Sequence, residues 1–332
     1  MDLEQLLELF SSTKITEVIN QTKASPRFVS DTFFKDKIPS LESTVRVEII
    51  KGAGIVLNSI SDNGEHSLEN TKDAYILNIP LPRFALAKRI SASEINSLRS
   101  LALQEAQAKS LSGALGVLVK EMKESFNTTL EYMANGALFG KILDGKGNVL
   151  FDFGSASKKA VSVKKDGSVT LASVCDAIDS AIIDEFGTSA DYEVLCGNEL
   201  FAAISNLALS EDLYKNHLAS RDEKDKSLIL YGTKYRRYSA KYKNTNGKSV
   251  EFLKGTEGMV VPKDNSNRIY YTRANHTDAL GKAPSLMFVS KPEILPRGAG
   301  IEIVGEMRAM PVCTRPNGLI KLVLDFKGKK CF

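Results

Sequence analysis

Thiols, imidazoles and clustered carboxylates are the side chains with which this chain could do chemistry. Across 332 residues it has four cysteines, Cys175, Cys196, Cys313 and Cys331, and three histidines, His66, His217 and His276. No two cysteines stand at CxxC spacing, so local zinc-site patterns cannot be assembled. Isolated buried thiols in a reducing compartment are the expectation. Three histidines leave few routes to a serine or cysteine triad, although triad partners need not be close in sequence. Asp176, Asp179, Asp184 and Glu185 fall on one helical pattern, with 176 and 179 sharing a face at i,i+3. No second cluster supplies metal partners, and a solvated helix face is expected. Gly247-Lys248-Ser249 ends like a phosphate-binding loop, but that motif needs glycine at 242, where Tyr242 stands. Neither HExxH nor GxSxG occurs. The residues predict no catalytic, cofactor-binding or metal-binding site, no cofactor and no enzyme.

One segment has a marked local charge. Between Arg221 and Lys254 ten Lys/Arg face four Asp/Glu, with Tyr231, Tyr235, Tyr238 and Tyr242 interleaved. Such interleaving can bind single-stranded nucleic acid. Alternation along a two-faced strand produces the same pattern, and both readings stand at this point. The formal net charge of +4 is small for this length and argues only weakly for nucleic acid.

The elements that would position these residues are legible in outline. Hydrophobic content of 43% is that of a folded chain. The opening MDLEQLLELF places acids ahead of leucines and reads as a short amphipathic helix, not a secretory signal. No run approaches 18 apolar residues, so no membrane contact is predicted. The pair Phe33-Phe34 reads as an anchor for an arm or as a local core contact. VRVEII alternates Val45, Val47 and Ile49 with Arg46 and Glu48, as a strand does. With the return AYILNIPLPRFALAKRI it makes two long arms around a polar tip containing Asn63-Gly64. Val45 to Leu57 alone would span about 43 Å, and such a ribbon needs a surface to lie on. Pro80 and Pro82 make the return arm an edge or interrupted strand.

Ser91-x-x-Glu94 is a capping box. Helical texture follows to about Phe139, with breaks expected at Gly113 and Gly116. Leu111, Leu115, Leu118, Met122, Phe126, Leu130, Met133 and Ala137 make one apolar stripe close to the α-helical repeat. From Glu105 to Phe139 that helix would be about 52 Å long. Hairpin signals follow at Asp144-Gly145 and Asp166-Gly167. A helix over roughly 174–186 ended by Gly187, the strand YEVLCG and the helix NELFAAISNLAL suggest a compact second domain. Two strands around Asn246-Gly247, a polar loop (263–284) and two closing strands joined at Arg315-Pro316-Asn317-Gly318 complete the chain.

The order of these passages resembles the tailed-phage major capsid protein E family, the lambda-like branch of the Hong Kong 97-type capsid fold. DTFFKDKIPSLESTVRVEIIKGAG is similar to its arm-to-loop segment, and IPLPRFALAKRISASEINSLRS to its return strand and helix entry. LEYMANGALFGKILDGKGNVLFDFG resembles the end of its spine helix and the following hairpin. FLKGTEGMVVPKD and EMRAMPVCTRPNGLIKLVL, with its Pro-x-x-x-Arg-Pro, also resemble the family. The likeness runs from about residue 20 to 325.

The resemblance implies an α+β fold with an N-terminal arm (1–40), an extended β-hairpin loop (41–92) and a peripheral domain with the spine helix (93–173). It further implies an axial domain (174–305) and return strands to the peripheral domain with a C-terminal tail (306–332). It implies a structural shell subunit, self-assembling through hexamers and pentamers into an icosahedral head around DNA bound without sequence specificity. Scaffold, portal and decoration proteins are the implied partners, with the virion capsid, and host cytoplasm during assembly, as its place. An encapsulin-like compartment shell and a nucleic-acid-binding protein using residues 231–254 are the alternatives.

Overall fold

The computed structural model describes residues 12–21, 27–50, 74–95, 104–153, 159–164, 168–239, 241–243, 247–263 and 266–325. The expected amino-terminal helix, the Asn63-Gly64 tip, the Asp166-Gly167 turn, Cys331 and the basic tail lie outside these residues. Among the described residues, the helices include α1 (Ser12–Gln21), α2 (Phe28–Phe33), α3 (Gln104–Leu138), α4 (Leu171–Phe186) and α5 (Asn198–Ser210). The chain divides into two units. Unit 1 comprises Met1–Val45, Asn78–Ala134 and Arg268–Val312; unit 2 comprises Arg46–Leu77, Asn135–Asn267 and Cys313–Phe332.

Unit 1 is organised on α3 and on the 13-residue strand Gly300–Val312. That strand pairs antiparallel with Arg83–Ser91, Arg268–Tyr271, Phe288–Val289 and Glu293–Ile294, and Asp36–Pro39 extends the sheet in parallel beyond Arg268–Tyr271. Its odd-numbered residues Ile301, Ile303, Met307 and Ala309 are buried. Gly305 among them lets the strand approach α3 closely, because a Cβ there would lie 3.0 Å from both Met122 Sδ and a Phe126 ring carbon. The stripe read from the sequence is the buried face of α3: Leu115, Met122, Phe126, Leu130, Met133 and Ala137 are buried and Leu118 is half-buried. The helix runs unbroken through Gly113 and Gly116, whose missing side chains face open space.

Two charges on α3 fix the amino-terminal helices. The Lys123 ammonium, itself buried, donates to the carbonyls of Ile19 and Asn20 at the end of α1. A cation there satisfies carbonyls that lack an intrahelical partner and complements the helix dipole. Eight residues on, the buried Glu131 carboxylate accepts from the Val29 and Ser30 backbone N–H groups, both at 2.8 Å. These are free donors at the start of α2, where Arg27 provides no side-chain cap. Arg27 instead reaches Glu124 at 3.1 Å and Thr128 at 3.0 Å. Phe33 and Phe34 are buried core residues of this unit. The capping box forms: Glu94 N donates to Ser91 Oγ, and Glu94 Oε2 accepts from Ser91 N and Oγ.

Thr44–Ile50 and Ala74–Pro80 form a two-stranded ribbon, with Val45, Val47 and Ile79 buried and Arg46 and Glu48 exposed. The return arm is interrupted where the prolines stand. One strand ends at Pro80 and the next begins at Arg83.

Unit 2 holds a seven-stranded sheet in the order Ala160–Lys164, Ile320–Asp325, Glu257–Pro262, Tyr192–Cys196, Thr233–Arg237, Leu228–Leu230 and Ala219–Arg221. The outer pair Ala160–Lys164 and Ile320–Asp325 is parallel, as is Tyr192–Cys196 with Thr233–Arg237. All five residues of Tyr192–Cys196 are buried, as befits a central strand. Helices α4 and α5 supply Leu171, Ile178, Ile182, Leu200, Ile204 and Ala208 to the core over this sheet. Thr170 caps α4 by accepting from Ser173 N, and Gly187 ends it at φ 73°. The Asp144 turn is closed by its carboxylate, which accepts from Lys146 N and Asn148 N.

This division differs from the boundaries the sequence suggested at 173/174 and 305/306. Residues 135–173 belong to unit 2 and 268–305 to unit 1. The closing strand Ile320–Asp325 lies inside the unit 2 sheet, between Ala160–Lys164 and Glu257–Pro262, and not with Gly300–Val312. Sheet pairing decides this: the turn at Pro316–Gly318 separates two strands that hydrogen-bond to different partners.

Three changes test this account. A Cβ at Gly136 would lie 2.6 Å from the Lys141 carbonyl oxygen and 3.0 Å from Ile142 Cα, both backbone atoms. Gly136→Ala is expected to cost roughly 1–3 kcal/mol in thermal or urea unfolding, whereas Gly116→Ala, in open space, is expected to stabilise by up to about 1 kcal/mol. Glu131→Gln removes the charged acceptor at α2 and is expected to cost roughly 1.5–3 kcal/mol. Hydrogen exchange at the Val29 and Ser30 amides should accelerate in the same variant.

Candidate functional site

The residues best suited to chemistry are placed for structure. Cys175, Cys196 and Cys313 are buried free thiols. Burial pushes the Cys175 and Cys196 thiols above their ordinary range, so neither is a ready nucleophile at neutral pH. Cys175 Sγ lies 3.4 Å from the buried Tyr235 hydroxyl. His276 Nδ1 accepts from Asp278 N in a short 3₁₀ turn, and His217 is exposed in a left-handed turn at φ 57°. Asp176, Asp179 and Asp184 are exposed on α4, Glu185 is half-buried there, and Asp184 lies 3.6 Å from Lys159. Among the described residues no group of three His, Cys, Asp or Glu is arranged to hold a metal ion, and no described helix is long and apolar enough to cross a membrane.

The basic, tyrosine-rich segment is spent inside unit 2. Lys234 pairs with Asp225 at 2.7 Å and Asp222 at 3.1 Å, and Arg236 with Asp225 at 2.7 Å and Glu193 at 2.8 Å. Lys241 pairs with Glu251 across the hairpin, and the Arg237 guanidinium stands 4.9 Å over the Phe201 ring. Tyr235 is buried. Tyr238 Oη donates to Asn135 Oδ1, and Tyr242 Oη accepts from Asn135 Nδ2. Only Tyr231 of the four presents an exposed ring, held at φ 48°. The two-faced-strand reading is the one this geometry favours, since a stacking platform needs free ring faces beside unpaired cations. Sequence reading missed the pairing because Glu193 and Asn135 lie 43 and 103 residues from their partners.

Asp225 is the hinge of this network. Burial alone would raise its pKa, but hydrogen bonds from Lys234 and Ser227 and the charge of Arg236 outweigh it and hold the carboxyl well below the usual range. Its contribution is complete above an unfolded-state pKa of about 3.9 and is lost as pH falls below that toward the depressed folded value. Asp225→Asn is expected to lower stability by roughly 1–3 kcal/mol at neutral pH. In acid titrations followed by circular dichroism, the gap between the wild type and this variant should shrink below about pH 4.

Several large apolar side chains stand exposed at scattered positions on the described surface. Leu280 is 78% exposed, Leu41 72% and Ile76 68%, with Leu209 and Val117 also exposed.

Among curated proteins no match is found. Among solved structures, the chain is similar to a protein described as the capsid protein of a prophage in Escherichia coli CFT073. The TM-score is 0.58 at 13% identity, covering 95% of this chain and 99% of that one. It also matches the asymmetric unit of the bacteriophage PhiM1 mature capsid, at TM-score 0.49 and 8% identity over 92% and 89% of the two chains. A third match is the holo-SrpI encapsulin complex of Synechococcus elongatus PCC 7942, at TM-score 0.47 and 10% identity over 96% and 98%. The prophage match shows a shared α+β fold. The model of the family described as phage major capsid protein E matches residues 11–324, and the chain belongs to that family.

Proposed function

We propose that this chain is the shell subunit of a tailed-phage or prophage head, closing through hexamers and pentamers around DNA held without sequence specificity. The observation that carries this reading is the family match from residue 11 to 324. In this reading the α3 part of unit 1, residues 83–134 and 268–312, serves as the peripheral domain, and residues 135–267 of unit 2 as the axial domain. Residues up to about 40 form the arm, and the ribbon Thr44–Ile50 with Ala74–Pro80 begins the extended loop. Two-stranded ribbons are marginal alone in water, so a neighbouring subunit is the surface that completes this one. Scaffold, portal and decoration proteins are the partners of such a shell, and assembly takes place in the host cytoplasm.

Obligate assemblies of this kind bury roughly 2,000 Å² or more per interface and need no reaction chemistry. Ile76, at 68% exposure on the return arm of the ribbon, is placed for such a contact. Negative-stain electron microscopy of the chain, expressed alone and with any adjacent scaffold gene, should show shells, tubes, or rings of five or six subunits. Ile76→Asp should abolish those particles while changing the unfolding free energy of the subunit by no more than about 0.5 kcal/mol. A uniform monomer or dimer from the wild type under every salt and scaffold condition would refute the proposal.

A further inference from the structure

A cavity of about 340 Å³ opens in unit 1, lined among others by Asn20, Lys37, Lys123, Asn127, Tyr271 and Ser285. Its lining is electrostatically one-sided: two ammonium groups, two amides and two hydroxyls, with no carboxylate. Lys123 is 8% exposed, and the Ile19 and Asn20 carbonyls take two of its three N–H groups. The end of α1 offsets part of its charge. Lys37, on the strand Asp36–Pro39, is exposed and makes no ion pair among the described residues. Burial and the charge of Lys37 both push the Lys123 pKa down, while Glu124, already paired with Arg27 at 3.1 Å, pulls it up. Two cations thus meet across a polar space that would hold about ten waters at roughly 30 Å³ each.

We propose that this cavity is an oxyanion site, seating a phosphate or carboxylate group between the Lys37 and Lys123 ammonium groups. The Asn127 amide and the Tyr271 hydroxyl are the further donors. An anion there supplies the negative charge the lining lacks, and charge-assisted hydrogen bonds to oxyanions are stronger than neutral ones. Nothing in the site is set up for chemistry; it is a place for a charge. The group comes either from a free anion or from an Asp or Glu of a neighbouring copy of this chain. The inference goes beyond the shell reading and requires only the folded subunit.

Thermal unfolding of the full-length subunit, in phosphate against chloride at matched ionic strength, tests it. The wild type is expected to gain about 3 °C at about 50 mM phosphate, and Lys37→Gln should lose most of that gain. The general effect of an excluded anion acts on both proteins alike and cancels in the comparison. Lys37→Glu places a carboxylate at the cavity and should raise Tm in chloride while abolishing the response to phosphate. Lys37 is exposed, so both variants keep the core. An equal response in wild type and Lys37→Gln, or none in the wild type, would overturn the site. Repeating the phosphate titration on assembled particles by ³¹P NMR separates the sources. Retained binding identifies a free anion, and lost binding identifies a carboxylate from the neighbouring copy.

Discussion

Two buried charges on one helix hold the amino-terminal part of unit 1 in place. A helix of 10 residues and one of six cannot persist alone in water, where nucleation outweighs propagation. Apolar contact with α3 would hold them, but an apolar stripe tolerates sliding by a turn. Lys123 and Glu131 remove that freedom, because each meets one helix end of opposite polarity. Eight residues separate them, about 12 Å along the axis, which fixes the distance from the end of α1 to the start of α2. A buried charge that loses its partner costs far more than the pair contributes. The arrangement therefore specifies position more than it adds stability.

The strand Gly300–Val312 follows from the same helix. Gly305 removes the side chain that would hold the strand off Met122 and Phe126. Once seated, the strand presents its edges to four others, and the sheet grows by pairing. Its opposite face carries the fully buried Glu306, which accepts from Arg83 Nε at 2.8 Å and from the Asn275 backbone N–H. That carboxylate joins two segments nearly 200 residues apart in the chain. Packing against α3 sets the depth of the sheet, and the buried Glu306 carboxylate, held by the exposed Arg83, ties its strands together.

Local pattern carried the reading of elements, and long-range pairing was out of its reach. The stripe from Leu115 to Ala137, the capping box at Ser91 and the glycine stop at Gly187 each depend on residues within a few turns of one another. They were legible for that reason. Lys123 and Glu131 were not, since a charge beside an apolar stripe looks like an ordinary solvated face until its partner is known. The same holds for Gly300–Val312 and Ile320–Asp325. Their closeness in sequence suggests neighbours in one domain, yet each finds its hydrogen bonds with strands distant in sequence, in different sheets. Breaks at Gly113 and Gly116 were expected from propensity, but burial along the stripe outweighs about 1 kcal/mol per glycine. The tyrosine-rich segment left two readings open in the sequence. The acidic partners that decide between them are Glu193, Asp222 and Asp225.

Neutralising that segment has a consequence for how such a chain could meet nucleic acid. Lys234 and Arg236 are each committed to two carboxylates, so releasing counterions from a phosphate backbone would first require breaking pairs within unit 2. Binding through these residues would forfeit the favourable term that drives non-specific association. For the proposed DNA-enclosing shell, tight binding at each copy would be unfavourable, because many copies facing one polymer multiply even a weak local affinity. The exposed apolar residues obey a similar economy. Leu41, Ile76 and Leu280 are exposed at separate points of the sequence, and each can supply one modest apolar contact. Specific closure then depends on many modest contacts made together, and the fold's contribution is to hold the elements that make them at fixed separations.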